Sequence, residues 1–441
     1  MKFRIGMPEV SEDDQGYFVE SALVVGETSP SLWFRTPSHL KPDETTLGDA
    51  FLASMLPMAM ARGEDIVIDA PVSARLLESL DEIQKIYAGW YPDVLQQVEI
   101  EASATNTAPV TGKGTLSTFT GGVDSFYTLV KHKDEITSVL YVEGFDVPIT
   151  NAVLARSVRK TVSSVAEAYG VQATFLQSNL KSFTDRVTDW GLIAHGPALA
   201  SVGLLLQGHF DTMYIPSTHS LKQMFPWGSH VLVDHLWSTE RLTFIHDGAD
   251  ASRVTKTKTI AQEKPVQEYL RVCWQNRGPY NCGSCEKCLR TMTALDLMDA
   301  LDKFTVFPDI DLPEAVRNLR IANQNGLEFQ LENLEYAQEI SSTKPVVAAL
   351  QESIDNFVAR KGAAAATKPP FAGGRQARDR LIREEVVQLR KEVKRLRAKN
   401  EVLRNNNAAL KARLSRLERS LPVRVRRALG RVVRKVIPRR G

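Results

Sequence analysis

Long apolar runs are missing from this 441-residue chain: nothing in it approaches the ~18 consecutive apolar residues of a membrane span. The stretch Met1 to Gln15 lacks an apolar core and carries Glu9, Glu12, Asp13 and Asp14, which argues against a secretory signal and for a cytoplasmic location. Cysteine is scarce, and all four residues fall between Cys273 and Cys288. A secreted disulfide protein would scatter its cysteines, so a reduced, metal-binding cluster is the expectation. Acidic residues are absent from 421–441, where eight Lys and Arg stand.

That last absence is part of a larger asymmetry. The net charge is only +3, yet Arg378 to Gly441 holds 22 basic and 6 acidic residues, a net +16, leaving the body acidic at −13. Such a split points to an anionic partner for the tail.

The body reads as alternating strands and helices. Residues 1–110 form a small α/β unit, with strands expected at Asp65–Asp69 and Val98–Glu101 and helices at Thr46–Arg62 and Val72–Tyr87; a packing or substrate-lid role suits it. In 111–300, strands are expected at Thr115–Phe119, Ser138–Val142, Ala173–Leu176 and Thr212–Ile215. Helices are expected at Ala152–Tyr169, stopped by Gly170, and at Ala198–Gln207, closed by Gly208. This alternation predicts an α/β fold, a mostly parallel sheet with helices on both faces and ligands at the carboxyl ends of its strands. Residues 301–360 read as a helical extension and 361–377 as a linker.

Two local patterns carry chemistry. Phe119-Thr120-Gly121-Gly122-Val123-Asp124-Ser125 joins a strand to a helix. Adjacent glycines bring backbone N–H groups close to a phosphate, and the following helix turns its positive end to the same anion. Thr120 and Ser125 add hydroxyls, and Asp124 suits Mg2+ or orientation of the loop. The lysine of a Walker A loop is missing. An ordinary Gly-Gly turn is the plainer alternative. The second pattern is Cys273, Cys282, Cys285 and Cys288, four thiolates that give zinc a closed tetrahedral shell of structural type. An iron–sulfur cluster is the competing reading, since the last three follow C-x2-C-x2-C.

The loop resembles the S-G-G-x-D-S signature of PP-loop ATP-pyrophosphatases, with Thr120 where serine is usual. The cysteine spacing, with Arg290 as its last member, looks like the zinc motif of the 7-cyano-7-deazaguanine synthase branch. The resemblance covers about residues 111–300. It implies a PP-loop (HUP-like) fold, ATP, Mg2+ and Zn2+ as cofactors, and an ATP site of Thr120, Gly121, Gly122, Val123, Asp124 and Ser125. By position, His195 and Gly196 match a second ATP-contacting turn. Asp124 and Ser125 are the expected catalytic residues. The Gly-Tyr-Pro-Asp-Cys-Arg-like stretch of the deazaguanine enzymes is absent, so the resemblance does not name the substrate. Polar and aromatic residues between the motifs (Ser217, His219, Trp227, His230, Asp234 and Glu240) are the candidates for the substrate pocket; a structured loop packed by Trp227 and Trp237 is the alternative.

The function expected is ATP-dependent adenylation of a small-molecule substrate, a carboxylate, with release of pyrophosphate and AMP as in amide-forming ligases. A non-catalytic nucleotide-binding scaffold anchored by its tail is the rival. Heptads from Ile382 to Leu417 predict a parallel dimeric coiled coil over 378–420. The tail 421–441, drawn as a helix, sets Val425, Leu429, Val432 and Val436 on one face and arginines on the others, which suits an anionic membrane surface, with nucleic acid as the competing partner.

Overall fold

A computed structural model describes residues 2–364, except 25–29, 107, 109–113, 274 and 276–279. The coiled coil expected at 378–420 and the tail at 421–441 lie outside the described residues. In chain order the strands are β1 (Phe3–Ile5), β2 (Glu9–Asp13), β3 (Gly16–Val24), β4 (Ser31–Thr36), β5 (Ile66–Ile68), β6 (Val72–Ser73), β7 (Ile100–Glu101), β8 (Ala104–Thr105), β9 (Thr115–Thr118), β10 (Ser138–Glu143), β11 (Gln172–Ser178), β12 (Thr212–Pro216) and β13 (Thr243–Asp247). The helices are α1 (Leu47–Arg62), α2 (Ala74–Trp90), α3 (Val123–Lys131), α4 (Ala152–Tyr169), α5 (Leu180–Thr184), α6 (His195–Leu205), α7 (Arg253–Ile260), α8 (Lys264–Tyr269), α9 (Glu286–Leu297), α10 (Leu312–Arg317), α11 (Gln324–Glu339) and α12 (Pro345–Ala364).

The fold is α/β, built on a large mixed, mostly parallel sheet flanked by helices. Eleven strands run in the order β13-β12-β9-β10-β11-β4-β3-β1-β5-β7, with β2 paired to β3. The first five are mutually parallel; β4, β3 and β1 pair antiparallel, and β5 and β7 return to parallel pairing. The N-terminal strands thus extend the sheet that carries the glycine loop, through Gln177 and Ser178 of β11 opposite Arg35 and Phe34 of β4.

Side chains on the parallel strands alternate between two buried faces. Leu140 and Val142 of β10 and Met213 and Ile215 of β12 join the core under α1 and α6. Val139, Tyr141 and Tyr214 point the other way, into the core of α3 and α4. Because α1 is wrapped by neighbours, it is apolar all round, with Leu47 through Met60 buried. Helix α6 is equally enclosed; a Cβ on Gly203 would come within 2.4 Å of the Met213 sulfur, so glycine permits the close approach of α6 to β12.

Gly170 ends α4 in the left-handed conformation at φ 69°, as expected. Helix α6 differs from the helix expected at Ala198–Gln207. It starts at His195, after a wide turn over Trp190–Ala194 that Asp189 caps, and it ends at Leu205 without a left-handed glycine; Gly208 instead approaches Asp43. Helices α10–α12 pack on Leu289, Met292 and Leu297 of α9. Helix α12 continues to Ala364, into the stretch expected to be linker.

Candidate active site and metal centre

A cleft of about 610 Å³ opens at the carboxyl ends of the parallel strands. The glycine loop forms its floor: Thr120, Gly122, Val123, Asp124 and Ser125 all line it. Gly121 holds φ +78°, a conformation that favours glycine, and its carbonyl accepts the Arg271 N–H at 2.8 Å. Gly122 caps α3 with extended backbone, and a Cβ there would meet only Thr120 Oγ1 at 3.6 Å and the Arg271 carbonyl at 3.8 Å. Ser125 Oγ donates to the Gly122 carbonyl at 3.0 Å, closing the first turn. The amides at the start of α3 therefore face the cleft with their partial positive charge.

Cations line the same cleft. Arg253 begins α7, Arg271 follows α8, and Lys287 and Arg290 come from α9; all four line the cleft. Arg253 Nη2 pairs with Asp124 at 2.9 Å. Lys256, 1% exposed, lies beneath, with Nζ donating to the Ser217 carbonyl at 2.6 Å and facing Asp124 at 3.4 Å. Burial lowers the Lys256 pKa and Asp124 opposes the shift. Asp124 thus neutralises two cations at the loop. Arg290 lies 3.9 Å from the Phe329 ring centroid and pairs with Glu286 at 3.3 Å. Its burial and the nearby Arg253 push its pKa down to about 10. Lys287 opens to the solvent of the cleft, yet its depth and the neighbouring arginines lower its pKa as well.

The remaining wall presents acceptors. His195 lies in the cleft with Nδ1 3.2 Å from the Trp190 carbonyl, and burial keeps the ring neutral by lowering its pKa. A carbonyl only accepts, so Nδ1 carries the proton and Nε2 keeps a lone pair. Ser229 lines the cleft and donates its hydroxyl hydrogen to Asp234 at 2.6 Å, which leaves its oxygen lone pairs for a ligand. Trp190 and Trp227 give this wall its aromatic surface. Three glycines let its two segments interlock: added Cβ atoms would lie 2.7 Å from the Trp227 ring at Gly191, 1.7 Å from the Gly228 carbonyl at Gly196, and 2.6 Å from His195 Nδ1 at Gly228. Gly196 is thus a packing position at the start of α6.

The other substrate candidates are placed differently. Ser217 is buried, its hydroxyl donating to the His219 carbonyl at 2.7 Å. His219 lies behind the cleft, stacked on Phe329 with Phe225 and Trp227 at its edges, and burial drops its pKa to about 3. Asp234 is fully buried and accepts from Ser229, from the His230 N–H at 3.1 Å and from His246 Nδ1 at 2.7 Å. His230 packs edge-on against Trp90. Glu240 accepts from Ser73 Oγ at 2.6 Å and the Arg75 N–H at 3.0 Å, at the start of α2. Among these six, only Trp227 lines the cleft.

Arg253, Lys256, Arg271, Lys287, Asn323, Asn325 and Phe329 belong to no motif in the sequence. One local signal exists: Ser252 caps a helix that opens with Arg253 just after β13, where a parallel sheet presents its ligand-binding edge. Nothing local marks Phe329, which reaches the cleft from the helical extension.

The four cysteines converge beside this cleft. Their sulfurs all lie within 4.8 Å of one another, and Cys282 and Cys288 are 3.9 Å apart. Tetrahedral thiolates at zinc distance stand roughly 3.8 Å apart, so the set fits one metal ion. The N–H groups of Ser284 and Cys285 point at the Cys282 sulfur at 3.5 and 3.3 Å, offsetting thiolate charge. Cys285 caps α9 and Cys288 sits in its first turn. Cys273 also borders the cleft. Among the described residues no helix is long and apolar enough to cross a membrane. No protein-family model matches this chain, and neither a curated protein nor a solved structure matches it.

Proposed function

We propose that this protein is a PP-loop ATP-pyrophosphatase that adenylates a small-molecule carboxylate. The observation that carries the reading is the glycine loop at the start of α3, opening onto a cleft also lined by Arg253, Arg271, Lys287 and Arg290. A polyphosphate is the ligand that suits both the loop amides and the cations. In the proposed reaction a carboxylate oxygen attacks the α-phosphorus of ATP, and the bond to the bridging oxygen breaks. Pyrophosphate leaves against the loop amides and cations. Ammonia, an amine or another nucleophile then takes the acyl group, giving up a proton, and AMP departs. Fixed donors and charges do this work by orienting the phosphates and stabilising the developing negative charge. Of the cleft carboxylates, Asp124 is paired with Arg253 and Lys256 and Glu286 with Arg290, so Asp146 is the one suited to Mg2+, which would add phosphate charge neutralisation. The acceptor wall of His195 Nε2 and Ser229 suits a ligand with N–H or O–H donors beside a planar surface. The four cysteines suit zinc in a structural role, since a closed thiolate shell leaves no position for water.

The test is calorimetric titration of Mg2+-ATP into wild type and Gly122→Val, followed by pyrophosphate release with a panel of carboxylates. The substitution suits backbone that any residue adopts and puts a side chain where phosphate would lie. Binding to wild type and a loss of at least about tenfold in the variant are expected, a difference of about 1.4 kcal/mol. Equal affinities refute the loop assignment. Binding without pyrophosphate release from any carboxylate would favour a nucleotide-binding scaffold.

A further inference from the structure

We propose that the four-cysteine site and the glycine loop are one mechanical unit, in which metal and nucleotide tighten each other's binding and Asn281 is the positioning residue between them. This rests on the nucleotide reading above. The segment Tyr269–Cys273 lies between the two sites. On one side the Arg271 N–H donates to the Gly121 carbonyl at 2.8 Å. On the other, Asn281 Oδ1 accepts from the Val272 N–H at 2.9 Å and the Cys273 N–H at 3.2 Å. The Asn281 amide nitrogen donates to the Leu270 carbonyl at 2.8 Å and the Val306 carbonyl at 3.1 Å. One buried side chain, directly before Cys282, thus holds the strip that holds the loop.

Cys273 ends that strip and belongs to the sulfur cluster. A metal that fixes its sulfur therefore fixes Arg271, and through it the carbonyl of the loop's left-handed glycine. The second path runs through α9. Cys285 and Cys288 set the first turn of a helix whose Lys287 and Arg290 face the cleft. Without metal, both the loop and its cationic wall lose their anchor. If metal raises nucleotide affinity, nucleotide must raise metal affinity by the same factor. A coupling of about tenfold lies within the ordinary range for such linkage.

The experiment uses the full zinc-loaded chain. Zinc partition between the protein and a chromophoric chelator is measured at equilibrium with and without saturating Mg2+-ATP, for wild type, Gly122→Val and Asn281→Ala, with ATP binding measured in parallel by calorimetry. The expected result is about tenfold tighter zinc binding with ATP in wild type. No tightening is expected in Gly122→Val, which controls for chelation by the nucleotide itself. Asn281→Ala is expected to carry zinc but to lose the tightening. Wild-type protein that binds ATP and holds zinc with unchanged affinity overturns the coupling and leaves the nucleotide reading standing. Wild-type protein that binds no ATP overturns both. Retained tightening in Asn281→Ala removes the role given to that residue, and if that variant does not fold, wild type against Gly122→Val still decides the coupling.

Discussion

Replacing Arg290 with methionine separates a residue held for ligand from one held for stability. Arg290 is 5% exposed, and its burial and the adjacent Arg253 bring its pKa to about 10. That displacement means about 3 kcal/mol against the charged form in the folded protein. Contact with Phe329 returns roughly 1–2 kcal/mol in a desolvated setting. Methionine has similar reach, keeps a favourable sulfur contact with the ring and carries no charge. It leaves Glu286 without this partner, but that carboxylate retains solvent. The ligand-free variant should therefore gain about 1 kcal/mol, a Tm rise of roughly 2 °C for a chain of this size. Mg2+-ATP should bind about 10- to 100-fold more weakly, the loss of a charge-assisted contact. The pH dependence has a definite sign. Below pH 10 the cost of the charged guanidinium is fully present. Above it the native state holds fewer protons there than the unfolded chain, so wild-type stability gains and the two proteins converge. Differential scanning calorimetry and isothermal titration measure both effects. A lower Tm with unchanged ATP affinity would make Arg290 a structural strut and refute the reasoning.

Three further outcomes are expected. Purified wild type should hold about one zinc per chain, and Cys285→Ser should lose it and melt at lower temperature; iron–sulfur absorption in wild type would refute the zinc assignment. Asp49, buried between Ser73 and Gln207, has its pKa raised to about 6 by burial, so the native state binds the extra proton between about pH 4 and 6 and wild-type stability falls as pH rises through that window. Relative to wild type, Asp49→Asn should gain about 2–3 kcal/mol between pH 4 and 7 by urea unfolding, and a constant difference would contradict this. The heptads of 378–420 and the basic tail 421–441 should give a dimer that sediments with anionic liposomes and is released by salt, whereas a chain ending at Ser420 should stay in solution. Equal sedimentation of the two forms would end the membrane proposal, and tight duplex DNA binding without lipid binding would favour nucleic acid.

Local signals were legible where the physics is local. The period of α4 and its left-handed Gly170, the buried runs of β9, β10 and β12, the glycine loop and the four closely spaced cysteines each depend on a few consecutive residues. The acidic body and basic tail are likewise a property of composition. What folding decided is which distant residues meet. Strands β1–β4 have no clear signature in the sequence, because half-buried antiparallel pairs draw their stability from partners such as β11 rather than from their own pattern. The start of α6 moved upstream because Asp189 caps a turn that packing against the Gly228 loop makes favourable. The cleft cations come from α7, the segment after α8, and α9, and the ring that Arg290 covers comes from α11. No spacing rule links those positions. A parallel sheet delivers the loop before α3 and the start of α7 to one edge, whereas α9 and α11 follow the last strand and reach that edge only because their apolar faces pack on each other, which no local pattern records.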